Sequence, residues 1–314
     1  MKYSFGVDRG GTTVKLAFFD TEGTMLHKWE IPTDTSDSGS HILPDIAAAV
    51  KDYLAQKNID LSDVVGVGIG VPGPVDGNGV VNKCINLGWG VFNIEQELSK
   101  LVGLPVRAGN DANMAALGES WMGAGRGCGN VVLTTLGTGV GGGVIIDGKP
   151  VSGVHGAAGE IGHIVVQPGE TVRCSCGKYG CAEQYCSATG VVRLAKLRLE
   201  KNADDSTLRQ LSELTCKDVF DAGAAGDGVA LEILEQVYDY MGRFLAAVCC
   251  TVDPQLVVIG GGVSRAGQPL LEGAQRYYVK YVFHASEGVE FALASLGNDA
   301  GAYGACKLIL DAQM

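Results

Sequence analysis

Hydrophobic positions in this chain fall into short runs closed by glycine, and the runs set the fold class. "YSFGVDRGGTTVKLAFFDTEG" (3–23) is apolar on both sides of Gly10-Gly11. It predicts a strand, a Gly-Gly turn, a second strand, and a turn at Asp-Thr-Glu-Gly. "NVVLTTLGTGVGGGVIIDGK" (130–149) repeats that plan: strand, Gly-Thr-Gly turn, strand, Asp-Gly turn. Two hairpins of one design, far apart in the chain, point to a duplicated domain plan. "VVGVGIGVPGPVDGNG" (64–79) is a buried strand running into a Gly/Pro loop, and "LVVIGGGVS" (256–264) is another strand. Before the latter, Leu231, Leu234, Tyr238, Met241, Leu245 and Val248 recur at helical spacing until Asp253-Pro254 ends the run. "LPVRA" (104–108) predicts a further strand that leads through Asn110-Asp111 into a helix. Strands alternating with helices imply an α/β architecture. The polar runs at 33–41 and 201–207 read as surface loops.

Composition narrows the class. A length of 314 residues and an apolar fraction of 46% suit a folded chain of two domains. The expected lobes are 1–115, completed by the C-terminal helix 302–314, and 116–301. Phe244–Val263 is the most membrane-like stretch, but Asp253 and Pro254 interrupt it, which argues against a transmembrane helix. The N-terminus turns polar at Asp8 with no apolar run before it, so no signal peptide is expected and the chain is expected to be cytoplasmic. Lys+Arg number 24 against Asp+Glu 35, a net charge of −11, which counts against a general nucleic-acid binder. Ten cysteines in a reducing compartment stay thiols. Cys249 and Cys250, in an apolar run, read as small buried hydrophobes, whereas the cluster at 174–181 has metal spacing.

The glycine loops carry the first chemistry. Residues 137–142 satisfy G-x-G-x-x-G, but a dinucleotide fingerprint needs a helix next, and the strand-like "GVIIDGK" follows instead. Glycine turns have another use: without Cβ atoms the backbone can point successive N–H groups at an anion. Thr12, Thr13 and Thr138 add hydroxyl donors at the same turns. Either hairpin alone is explained as an ordinary glycine turn. Together, with Asp8 entering the first and a third glycine loop at 260–262, they favour a clamp on nucleotide phosphates, with Asp8 holding Mg2+ through water. No P-loop and no H-R-D catalytic loop occurs. The pattern resembles the sugar-kinase, actin and heat-shock ATPase superfamily, in which two phosphate loops close over ATP between related domains.

"NDAN" (110–113) begins the helix after "LPVRA". A helix N-cap accounts for one of these polar residues but less well for the whole group. A kinase acting on a sugar hydroxyl needs a carboxylate that orients the alcohol and takes its proton, and Asp111 is the candidate. Cys174, Cys176 and Cys181 form C-x-C-x4-C, one ligand short of a tetrahedral zinc site. His163, eleven residues before Cys174 in "GEIGHIVV", is the candidate fourth ligand. Cys186 is its rival and would make an all-cysteine site.

Asp8-x-Gly10-Gly11-Thr12, Asn110-Asp111, Leu136-Gly-Thr-Gly-x-Gly-Gly-Gly143, Glu160-x-Gly-His163 and Cys174-x-Cys-Gly-x-x-Gly-Cys181-x-Glu183 together resemble the ROK family of sugar kinases and repressors. The resemblance runs from residue 4 to "NDAGAYGA" at 298–305. It implies a duplicated ribonuclease-H-like fold of the actin and hexokinase kind, two lobes with a cleft between them. It further implies structural Zn2+ on His163, Cys174, Cys176 and Cys181. Asn110, Asp111, Glu160, His163 and Glu183 would bind sugar hydroxyls, with Asp111 as base. The imidazole of His163 can ligate zinc through one nitrogen and meet a hydroxyl through the other. MgATP would lie on Asp8, Gly10, Gly11, Thr12, Thr13, Lys15, Thr138, Gly139, Gly261 and Gly262. The segment 71–90 resembles the glucose-phosphorylating branch, adding Gly73 and Asn86 as sugar contacts and the 6-hydroxyl of D-glucose as acceptor. Kinases for N-acetylmannosamine, N-acetylglucosamine, fructose and allose share the core motifs. Arg9 departs from the apolar residue usual in the family. The repressors carry a winged helix-turn-helix before the first loop, and here seven residues precede Asp8. An enzyme with small-molecule partners is therefore expected, with neither nucleic acid nor membrane bound, and the resemblance implies a homodimer or homotetramer.

Overall fold

The strands, in chain order, are β1 (Tyr3–Arg9), β2 (Thr13–Asp20), β3 (Met25–Pro32), β4 (Val64–Val71), β5 (Val80–Cys84), β6 (Trp89–Asn93), β7 (Val106–Asn110), β8 (Val131–Leu136), β9 (Val140–Ile146), β10 (Lys149–Pro150), β11 (Leu256–Gly260) and β12 (Glu290–Leu293). They come from a computed structural model that describes residues 2–10, 12–84 and 87–313, except the side chain of Lys83. Gly11 and Asn86, both singled out from the sequence, lie outside the described residues.

The two hairpins seen in the sequence open two sheets of the same plan. The first runs β3-β2-β1-β4-β7 and the second β10-β9-β8-β11-β12. In the first, β1 pairs antiparallel with β2 and parallel with β4, and β4 continues parallel to β7. In the second, β8 and β12 run parallel to β11 on either side. The extra hairpin β5-β6 forms a separate two-stranded sheet.

The chain separates into two compact units, Met1–Gly129 with Gly143–Gly159 and Ser295–Met314, and Asn130–Gly142 with Glu160–Ala294. The core of the first gathers Phe5, Val7, Leu16, Ile46, Val67, Ile69 and Leu98, all fully buried. Helix Ala300–Asp311 lies directly on β1 and β4 because Gly6 and Gly68 carry no side chain. A Cβ on Gly6 would stand 2.0 Å from the Ala302 carbonyl oxygen, and one on Gly68 1.7 Å from that of Ala305. A buried carboxylate secures the return of the chain to this unit. Glu119 accepts from Ala124 N, Ser295 N and Leu296 N.

In the second unit the helix expected before β11 spans Gly228–Val252 and stops at Asp253, which takes the left-handed conformation at φ 50°. Leu234, Tyr238, Met241, Leu245 and Val248 are buried, but Leu231, in its first turn, remains 45% exposed. Cys249 is buried as expected and Cys250 is exposed. Successive helical positions differ by about 100°, so only one of the two can face the core. No helix among the described residues is long and apolar enough to cross a membrane.

Candidate active site

Parallel strands bring chemistry to their carboxyl ends. In the first unit Asp8, Gly70 and Gly109 stand abreast, and Val71 is paired with Asn110. Arg9, Val71 and Asn110 therefore form the next row, with Gly73 and Asp111 just beyond it. Asn110 is the N-cap of helix Asp111–Met122, its side chain accepting from Ala112 N and Asn113 N. The capping explanation is thus right for Asn110, and its amide does more: Nδ2 donates to the Gly73 carbonyl at 3.2 Å. Asp111 is the first helical residue, and its Oδ1 accepts from Ala112 N at 2.8 Å.

At the first glycine loop Gly10 N donates to Thr13 O at 2.9 Å, closing the turn, and Thr12 O accepts from Thr33 N at 3.0 Å. Lys15 Nζ donates to the Asn298 carbonyl at 3.1 Å. Asp8 lies against the start of helix Ala300–Asp311, where a Cβ on Gly301 would come within 2.6 Å of its Cγ. Burial, opposed by Lys15 and reinforced by Asp111 and Asp299, pushes the Asp8 carboxyl up to about 6. Carboxylate oxygens crowded by like charge suit a hard cation, so the donor set fits Mg2+.

The second unit holds the other two loops together. Gly261, at φ 83°, packs on the second loop so closely that a Cβ would stand 2.5 Å from Leu136 O. The loop 137–139 is tied to helix Ala188–Lys201: Ala188 N donates to Gly137 O and the Thr189 hydroxyl to Thr138 O, each at 2.8 Å. Beside Thr138 opens a cavity of about 590 Å³, lined along that helix by Val192, Arg193 and Lys196 and closed by Thr215 and Cys216.

His163, Cys174, Cys176 and Cys181 converge, with their ligand atoms all within 4.8 Å of one another. Cys174 Sγ lies 3.8 Å from His163 Nδ1, and Cys176 Sγ 3.6 Å from Cys181 Sγ. A tetrahedral zinc with bonds of about 2.0–2.3 Å spaces its ligands about 3.5–3.8 Å apart, so the group fits that ion. Cys186 is not part of the group; it is fully buried, and burial pushes its thiol up. Two left-handed glycines shape the block, Gly177 at φ 83° and Gly180 at φ 75°. Gln184 steadies it by accepting from Gly180 N and Cys181 N.

Nδ1 of His163 turns to the sulfurs while Nε2 lies 3.8 Å from Glu160 Oε2, which divides the ring between metal and acid. Glu183 joins the metal group to the second glycine loop. Its Oε1 accepts from Ser175 Oγ at 2.6 Å and from Cys174 Sγ at 3.6 Å, and its Oε2 accepts from Val140 N at 3.1 Å.

Sequence spacing missed Ser175, the Glu119 clip on residues 295–296, and the cavity along 188–200. Ser175 had a signal, standing between two ligand cysteines. The others depend on residues brought together from far along the chain.

The chain is similar to known proteins along nearly its whole length. The ROK family profile matches residues 4–312. A glucokinase of Halalkalibacterium halodurans is 42% identical over 308 residues, covering 96% of this chain and 93% of the relative. A ROK family glucokinase from Streptomyces griseus, solved with glucose and AMPPNP, superposes with a TM-score of 0.76 at 34% identity over 98% of each chain. The ROK hexokinase of Thermus thermophilus superposes at 0.83 with 30% identity over 99% of each chain. With the zinc-ligand group, the glycine loops and the paired sheets in place, the chain belongs to the ROK family.

Proposed function

We propose that this protein transfers the γ-phosphoryl group of ATP to the 6-hydroxyl of D-glucose. The observation that carries the proposal is Asn110-Asp111 at the carboxyl edge of β7, tied to Gly73, in a chain 42% identical to a glucokinase along nearly its whole length. Asp111 orients the 6-hydroxyl and takes its proton as the oxygen attacks phosphorus; the bond to the bridging oxygen breaks and ADP leaves. Gly73, Asn86, Asn110, Glu160, His163 and Glu183 are the further sugar contacts, and a sugar lacking a partner hydroxyl leaves one of these polar groups unpaired.

Asp8, Gly10, Gly11, Thr12, Thr13, Lys15, Thr138, Gly139, Gly261 and Gly262 receive the nucleotide. The cavity beside Thr138 suits the nucleoside. Asp8 would hold Mg2+, which would supply countercharge to the phosphates, and His163, Cys174, Cys176 and Cys181 would hold zinc, which would fix the ring and aim of His163. Such an enzyme works on cytoplasmic ATP.

Two measurements test the proposal. In an ATP-consumption assay over a hexose panel, glucose should give the highest kcat/KM; a higher value for N-acetylmannosamine or fructose refutes the acceptor assignment. Asp111→Asn should keep sugar affinity within a few-fold and lose most turnover, since an amide cannot take the proton. Retention of more than about a tenth of kcat refutes Asp111 as base.

A further inference from the structure

The second glycine loop is gripped by one short segment of its own unit. Glu183 Oε2 accepts from Val140 N at 3.1 Å, Ala188 N donates to Gly137 O at 2.8 Å, and Thr189 Oγ1 donates to Thr138 O at 2.8 Å. The segment 183–189, which makes all three contacts, begins two residues after Cys181 of the metal group. It is itself pinned. Ser187, fully buried, donates to the Glu183 carbonyl at 2.6 Å and accepts from Gly190 N at 3.0 Å. Thr189 Oγ1 stands 3.0 Å from Ser187 Oγ.

Thr189 is not explained by its own helix. Ser187 already caps Ala188–Lys201. Threonine is a poor helix former, and Thr189 is exposed, so neither propensity nor core packing selects it. A helical threonine hydroxyl ordinarily returns to a carbonyl three or four residues back. This one reaches a carbonyl 51 residues away in the chain. The consequence follows from the planar trans peptide, in which a carbonyl and the next N–H point in opposite directions. No cis bond occurs among the described residues. With the Gly137 and Thr138 carbonyls both turned to the start of the helix, the N–H groups of Thr138 and Gly139 face away from it. Successive N–H groups aimed alike receive an anion. Thr189 also lines the cavity beside Thr138, so the grip and the nucleoside space share a wall. We propose that Thr189 is a positioning residue for the nucleotide: its hydroxyl holds back the Thr138 carbonyl and so presents the Gly139 N–H to a phosphate oxygen of ATP. The inference rests on ATP lying on this loop, as in the function proposed above.

The test is Thr189→Val, which keeps the branched shape and removes the hydroxyl, with Thr189→Ser as the conservative partner. Thr189→Ala replaces the valine variant if that one fails to fold. Calorimetric binding of MgAMPPNP, steady-state kinetics with glucose and thermal melting are measured on the full chain. Thr189→Val should raise the Kd for MgAMPPNP and the KM for MgATP about five- to tenfold, the loss of about one hydrogen bond. The sugar KM should stay within about twofold and the melting temperature within about 2 °C of the wild type. Thr189→Ser should bring nucleotide affinity back to within about twofold. Unchanged nucleotide affinity in Thr189→Val overturns the inference. So does an equal rise in KM for both substrates with a lower melting temperature, or a loss that serine does not rescue, because those mark a general loosening. If the valine variant loses nucleotide affinity as expected but the wild type does not phosphorylate glucose, the role of Thr189 stands and the acceptor assignment falls. If the wild type binds no MgAMPPNP, both fall.

Discussion

Replacing Glu119 by glutamine probes how the C-terminal segment is held in the first unit. Glu119 is fully buried. Its Oε2 accepts from Ala124 N at 2.9 Å, Ser295 N at 3.1 Å and Ser295 Oγ at 3.3 Å, and its Oε1 from Leu296 N at 2.8 Å. Glutamine keeps the shape but offers only one accepting oxygen. With that oxygen on the three-donor side, the NH2 group meets the Leu296 N–H donor to donor. One charge-assisted bond is lost and one N–H is orphaned, at about 2–3 kcal/mol. Glu119→Leu would orphan three backbone N–H groups at roughly 1–3 kcal/mol each, comparable to a typical total stability of about 5–15 kcal/mol. Glutamine is therefore the informative variant.

The consequence should reach function, because the segment after Leu296 carries the Asn298 carbonyl that accepts from Lys15 and the glycine that leaves room for Asp8. Urea denaturation should show the loss of about 2–3 kcal/mol, and steady-state kinetics a several-fold rise in KM for MgATP with the sugar KM little changed. A midpoint corresponding to less than about 0.5 kcal/mol of change would refute the reasoning, since the carboxylate would then not be holding the segment.

Elemental analysis should find one zinc per chain; Cys176→Ser should lose it together with sugar binding, and Cys186→Ala should keep it. Active protein without zinc would end the metal assignment. Gly139→Ala would place a Cβ 2.3 Å from Glu183 Oε2 and displace the carboxylate from Val140 N. Sugar kcat/KM should fall by about tenfold or more, and an unchanged value would show that the link is dispensable. Burial works against the Glu170 carboxylate, but bonds from Tyr185, Val172 N and Arg193 prevail and hold it at about 2, against 4.5 for the free side chain. A depressed folded pKa gives stability that is present above about pH 4.5 and lost as pH falls toward 2, worth about 3 kcal/mol. Glu170→Gln should therefore be less stable than the parent at pH 7 and close to it near pH 2–3; a difference independent of pH refutes that account.

Local order determined much of this protein in advance. Glycine-closed apolar runs fixed both opening hairpins, because a two-residue periodicity and a turn residue are short-range properties. The metal block was legible for the same reason: Cys174, Cys176 and Cys181 lie within a few residues, and Gly177 and Gly180 supply the left-handed turns that fold their thiols together. His163 is already the candidate over Cys186 in the sequence, and the fold brings His163 to the three sulfurs while Cys186 stays outside the group.

Burial was decided only in the fold. Leu231 and Cys250 sit in apolar sequence and are exposed, while Arg9, polar in every scale, is shut inside the first unit. A strand position fixes which face a side chain takes, but what covers that face comes from elements far along the chain. Only the fold brought Glu119 to Ser295 and Leu296, nearly 180 residues away, and made Gly6 and Gly68 necessary beneath Ala302 and Ala305. Long-range contacts have no periodicity to read, so their chemistry becomes visible only once the strands are paired and the C-terminal helix has come to rest on them.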